Sequence, residues 1–259
     1  MFIRPSRLAA LALLAPLAGA CASASPYAGL PADTIFEHGR AAFEREDWEE
    51  AAKALDRLLL TFQAFDRVPE ARMMLARAYY NDGKFLTAQQ EFTRFLERHP
   101  GHADAPQAAL GRCRAFVGLS PIPERDQTYT DQAAQVCANV VRDYTGVADD
   151  VATQAGALAN DMRARLGEKV YLNGLHYFER KFWDSAVIYL EWVYEDYGDT
   201  EWAPRAILRL VEIYGEIGYE DEVDRWRQIL LDSYPDSPEA ESLVNGGVTG
   251  DPGGPRGGG

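Results

Sequence analysis

The sequence predicts an all-α fold, an α-solenoid of about five helical hairpins stacked side by side. Two observations predict it. A pattern of small and aromatic residues recurs at fixed offsets, and prolines and capping residues fall where a hairpin must start or stop. The clearest copy of the pattern runs Ala76, Tyr79, Tyr80, Gly83, Phe85, Ala88, Phe92, Phe95, Leu96 and Pro100.

Residues 1–20 stand apart from this fold. Arg4 and Arg7 give a positive start, residues 8–17 are apolar, and Ala18-Gly19-Ala20 are small. That order is a secretory signal. The apolar run is shorter than the about 20 residues a bilayer requires. Cys21 follows at once, and Leu17-Ala18-Gly19-Ala20-Cys21 resembles the lipobox of bacterial lipoproteins, with Ala18 where the family prefers Leu. The resemblance implies cleavage before Cys21 and acylation of it. Ala22 in place of Asp favours the outer membrane. Residues 21–32 then read as a lipidated tether, and residues 246–259, nearly all Gly and Pro, as a disordered tail.

Residues 33–245 hold the repeats. Thr34 with Glu37 has the capping-box pattern, which predicts the first helix start. Gly39, Phe43, Trp48, Ala51, Leu55, Leu58 and Leu59 carry the first hairpin, with Asp47 capping its second helix. The Ala76–Leu96 copy is the second hairpin, closed by Pro100, because proline lacks the N–H and disfavours helix before it. A third hairpin pairs residues 105–117, behind Asp104, with the helix of Ala133, Cys137, Val140 and Val141. Between them 118–130, with Pro121 and Pro123, is longer than a normal repeat turn.

A helix from Asp149 to Leu166 follows, its pattern continuing toward Glu179. Gly174, Tyr177, Phe178, Phe182, Trp183, Ala186, Leu190, Val193 and Tyr194 make the fourth copy. The fifth runs Val211, Tyr214, Gly218, Tyr219, Val223, Trp226, Leu230, Leu231 and Pro235. Ser237-Pro238-Glu239 predicts a last short helix that covers the end of the stack. The offsets resemble the tetratricopeptide consensus. Gly39, Ala76 and Gly174 mark where the first helix of a hairpin lets Ala51, Ala88 and Ala186 of the second come close.

The formal net charge is −14, and no basic face is visible. Nucleic acid is therefore not an expected partner. No Gly-rich phosphate loop, nucleophile elbow or HExxH occurs, so neither enzymatic activity nor a cofactor or metal is expected. His99 and His102 flank a Pro-Gly turn and read as solvated, while His38 and His176 read as partly buried packing. Export makes a Cys113–Cys137 disulfide permissible. Both positions also want compact residues, which favours two buried thiols. Trp183, Trp192, Tyr194 and Tyr197 recur at helical spacing and read mainly as core. Trp202, just before Pro204, reads as an exposed anchor for a partner.

From the lipobox through the last repeat, the order of motifs resembles the BamD (YfiO/ComL) family of outer-membrane β-barrel assembly lipoproteins. It rests on Ala76-Arg77-Ala78-Tyr79-Tyr80 and Ala88, Arg94-Phe95 before Pro100, Glu124-Arg125-Asp126, residues 140–144, Ala186-Val187 and residues 194–197. The central loop is shorter than the family's, and Thr145 and Gly198 stand where prolines are common. The resemblance implies a lipid-anchored scaffold on the periplasmic face of the outer membrane. Its partners would be the barrel subunit, other assembly lipoproteins and unfolded outer-membrane proteins. Phe43, Tyr79 and Tyr80 would line or support a client pocket, and Arg205 and Arg209, with Trp202, would dock the partner. A repeat lipoprotein for pilus or secretin assembly, or for envelope coordination, is the alternative reading.

Overall fold

The computed structural model describes residues 27–245. The signal, Cys21 and the tail 246–259 lie outside the described residues. Among those described there are eleven helices and no strand. They are α1 (Ala32–Glu44), α2 (Trp48–Thr61), α3 (Val68–Asn81), α4 (Phe85–Arg98), α5 (Ala105–Leu119), α6 (Thr128–Tyr144), α7 (Asp149–Phe178), α8 (Trp183–Tyr197), α9 (Trp202–Ile217), α10 (Glu220–Ser233) and α11 (Pro238–Val244).

Five antiparallel pairs run from α1/α2 to α9/α10, and α11 packs on α9 and α10 as an end cover. Each helix from α1 to α10 packs on its neighbours in the chain. The first helices also touch one another in the series α1, α3, α5, α7, α9, while no two second helices meet. The stack therefore curves, with the first helices on the inner side.

Local chemistry explains most boundaries. Asp47 accepts a hydrogen bond from the Glu50 amide at 3.3 Å, and Ser237 from the Ala240 amide at 3.1 Å. Both satisfy donors that a helix start leaves open. Asp104 occupies the cap position of α5 without making that bond. α4 and α10 end two residues before Pro100 and Pro235. Thr34 does not start α1. The helix begins at Ala32 behind Pro31, whose extended backbone (φ −62°, ψ 154°) supplies the entry, and Thr34 lies within the first turn.

The presumed tether ends earlier than Ala32. Tyr27 is buried on the first hairpin among Ile35, Phe36 and Leu55, and its hydroxyl donates to Glu50. Burial and the Glu50 carboxylate push the Tyr27 phenol up to about 12. A neutral tyrosine thus fastens the segment before α1 to the start of α2.

The close approaches use different partners from those the repeat pattern suggests. A Cβ on Gly39 would lie 2.8 Å from Leu55, not against Ala51. One on Gly174 would meet Leu190 at 3.0 Å. The glycine makes room for the leucine one turn beyond the alanine. The Sγ atoms of Cys113 in α5 and Cys137 in α6 are bonded, with Cα atoms 5.0 Å apart. The reading of two free thiols is corrected: the compact positions that cysteine suits are also where α5 and α6 come near enough to be joined. The connection between these helices is residues 120–127, shorter than the 118–130 expected.

Candidate functional site

The inner side of the curve carries a cavity of about 230 Å³ between α3 and α5. Arg77, Tyr80 and Asn81 come from α3, Gln107, Gly111 and Arg114 from α5, and Phe92 from α4 forms the floor. Gly111 is what opens it. A Cβ there would lie 2.4 Å from the Phe92 ring, so only glycine lets that ring sit beneath α5. Tyr80 leans on Phe85, with ring centroids 5.4 Å apart. Arg114 donates to the Gln154 side chain of α7 at 2.6 Å, which ties the rim to the next hairpin. Arg77 is exposed on the opposite rim. An aromatic floor beside two guanidinium groups and two amides suits an apolar or aromatic side chain with a carboxylate beside it.

Of the three residues expected to line or support a client pocket, Tyr80 lines this cavity. Tyr79 is half-buried and packs between the first two core clusters. Burial, then Asp56 and Glu91, raises its phenol pKa. Phe43 packs edge-on against Trp48, at 5.1 Å. Neither lines the cavity: Tyr79 packs behind α3, and Phe43 belongs to the first hairpin. The pattern reading missed Arg77, Gln107, Gly111 and Arg114, because inner-face polar residues carry no periodic signal of their own. It also missed a buried ion pair within the same hairpin. Arg72 donates to Glu91 at 2.7 Å, with side chains 8% and 5% exposed, and Arg94 meets the other Glu91 oxygen.

At the far end, the residues expected to dock a partner are engaged inside the fold. Trp202 is half-buried on Tyr171, at 5.3 Å, and the Arg205 guanidinium lies 4.5 Å above its ring. Arg205 pairs with Glu201 at 2.9 Å and approaches Glu239 of α11 at 3.7 Å. Arg209 pairs with Glu212 at 2.7 Å and lies over the Phe178 ring. Burial opposes the Arg209 charge, but hydrogen bonds to Glu212 and Tyr171 outweigh it and raise the pKa. Trp202 is therefore not the exposed anchor expected. The three residues lock α9 onto α7 and α11, because each hairpin must bury one face on its neighbour.

Three of the four histidines differ from expectation. His99 packs on Phe95 at 5.5 Å with its Nε2 buried without a partner, whereas His102, 5.4 Å from the same ring, is exposed as expected. Burial, then nearby Arg72, lowers the His99 pKa. His38 and His176 are exposed. Trp183, Tyr194 and Tyr197 pack on the C-terminal core as expected, but Trp192 is 43% exposed. Among the described residues no three His, Cys, Asp or Glu side chains are grouped to hold a metal, and no helix is long and apolar enough to cross a membrane.

The chain is similar to known proteins over nearly all of this body. A tetratricopeptide-repeat protein of Thermus thermophilus is 17% identical, covering 83% of this chain and 98% of its own, with a TM-score of 0.34. The outer membrane protein assembly factor BamD of Rickettsia prowazekii is 24% identical, covering 89% of this chain and 92% of its own length. The BamD of Caulobacter vibrioides is also 24% identical, covering 90% and 77%. The YfiO model, described as an outer membrane lipoprotein, matches residues 29–230. That span takes in the helices α1 to α9 and most of α10, and the chain belongs to the YfiO family of outer membrane lipoproteins.

Proposed function

We propose that this protein is a scaffold subunit of the machinery that assembles β-barrel proteins into the outer membrane. The observation that carries the reading is the family match along residues 29–230, together with relatives named assembly factors that are matched over 92% and 77% of their own length. The protein works by binding, without chemistry of its own. Acyl chains on Cys21 hold it to the periplasmic face of the outer membrane. More than one chain is needed, since a single one gives only marginal attachment. The partners are the barrel subunit of the machine, its other lipoproteins and unfolded outer-membrane proteins.

Two features of the body support this reading. The inner curve offers a cavity with an aromatic floor and cationic rims at Arg77 and Arg114, which can hold an extended client by a side chain and a carboxylate. The locked α9 and α11 give the C-terminal end a rigid surface that a folded partner can meet with little ordering cost. Affinity purification from mildly solubilised envelopes tests the proposal. A large membrane β-barrel protein is expected to co-purify with the chain. Recovery of the chain alone, or with pilus or secretin components, overturns it.

A further inference from the structure

At the edge of the C-terminal core, the half-buried Tyr177 and Tyr189 and the exposed Trp192 form an ordered row. Tyr177 of α7 stacks on Tyr189, with centroids 5.5 Å apart and planes 10° from parallel. Tyr189 stacks on Trp192 at 6.3 Å and 23°. Ile188 beside them is 64% exposed and Trp192 43% exposed. The Trp192 indole donates to Asp196 at 2.6 Å, which fixes the ring, and Glu195 adds a second exposed carboxylate. The row borders a cleft of about 350 Å³ between α7, α8 and Glu124 of the α5–α6 connection. Among the described residues α8 packs only on α7 and α9, so this face has no helical partner.

Parallel aromatic rings flanked by carboxylates suit an extended segment with spaced prolines and a basic residue. The chain contains one: Pro252-Gly253-Gly254-Pro255-Arg256. We infer that the row Tyr177–Tyr189–Trp192 on α7 and α8 is the docking site of this chain's own C-terminal segment, residues 252–256. Three observations make the match. In polyproline geometry, residues three apart lie on one edge about 9 Å from each other. That separation fits along a row two ring spacings long. Arg256 follows Pro255 directly and meets Glu195 and Asp196 when Pro255 lies on Trp192.

Reach is sufficient. Seven residues lead from Asn245 to Pro252 and extend to about 24 Å. α11 packs on α9 and α9 on α8. Two helix layers separate α11 from α8, about 20 Å at ordinary packing distances. The docked segment would cover Ile188 and Trp192 and shield the outer face of the fourth hairpin. The inference does not depend on the role in barrel assembly.

Photo-crosslinking in the full mature chain tests it. A p-benzoylphenylalanine replaces Gly257, and crosslinked peptides are mapped on a mixture of isotopically light and heavy chains. Crosslinks within one chain to 183–197 or to the adjoining end of α7 are expected. They should be lost in Trp192→Ala and in the double change Pro252→Gly with Pro255→Gly, while the parent signal should weaken with salt and Arg256→Gln should leave a weaker signal that salt no longer changes. The proline changes lie outside the helical body, so they keep the test valid if Trp192→Ala disturbs the fold. Crosslinks to other helices, crosslinks only between chains, or a signal indifferent to both changes would overturn the assignment.

Discussion

Arg72 and Glu91 illustrate what a buried charge does at the scale of one residue. The pair joins α3 to α4 beneath the inner face, and Arg72 Nε has no partner. Removing one member strands the other in a poorly solvated site, a loss of about 3–5 kcal/mol. Glu91→Gln is therefore expected to lower the urea midpoint clearly, while Arg72→Met combined with Glu91→Leu recovers most of it. Equal loss in the single and double variants would show that the pair does not act as a unit. His99 makes a second prediction. Its folded pKa lies below the ordinary 6.5, through burial and the charge of Arg72. The unfolded chain binds the proton more readily, so this contribution is present above pH 6.5 and is lost as pH falls through the lower folded value. Urea midpoints at about pH 7.5 and about pH 5 should differ less in His99→Gln than in the parent chain, the difference being the histidine's share.

Helix pairs set the next scale, and the third hairpin is the informative one. Its disulfide closes a span with a sequence separation of 24 between fully buried sulfurs. A loop of that size contributes about 3 kcal/mol, mainly by limiting the unfolded chain. Cys113→Ala with Cys137→Ala is expected to lose about that much in urea titrations without reductant and to remove the effect of added thiol on the midpoint. Gly111→Ala is the matching test on the α3–α5 wall. The new methyl must displace the Phe92 ring, at a cost of about 1–3 kcal/mol, and it narrows the cavity. Client peptides should bind it more weakly, whereas unchanged binding would place the client elsewhere. The same elements show what could be read from sequence. Small-aromatic offsets and proline stops revealed the five hairpins, because they repeat, and the Ser237-Pro238-Glu239 cap revealed the covering helix. The actual facing pairs, Gly39 with Leu55 and Gly174 with Leu190, were off by one helical turn, because periodicity gives a face but not a height along it. Tyr80 was legible in the site since it belongs to the repeat. Gly111, Arg77 and Arg114 were not, since an inner-curve polar residue looks like any solvated one. Trp202 was misjudged because a tryptophan before proline signals a helix start and says nothing about the neighbour that covers it.

At the scale of the whole molecule, separate cores must be coupled to unfold together. A repeat stack is held by neighbour contacts alone, so its two ends communicate only through what lies between. Here that link is α7. Its 30 residues span about 45 Å without a break. The first half packs Val151, Ala155 and Ala159 into the core shared with α5 and α6. The second half packs Val170 and Tyr171 into the C-terminal core. A continuous helix transmits fraying from one half to the other, since each turn supplies hydrogen-bond partners to the next. Ala164→Pro removes one of those bonds near the midpoint and costs about 3 kcal/mol or more. The consequence should reach beyond lower stability, because it cuts the only rod between the halves. Four of the five tryptophans, at 183, 192, 202 and 226, lie on the C-terminal side, and only Trp48 lies in the first hairpin. Tryptophan emission thus reports mainly on one half, while far-UV dichroism reports on all helices. In the parent chain the two signals are expected to trace one urea transition. In Ala164→Pro they should separate into two, with the emission curve following the C-terminal half. Coincident curves in the variant would mean that side contacts about the middle of α7, such as Met162 with Ala133 and Ala134 and Arg163 with Asp199, already couple the halves without a continuous helix.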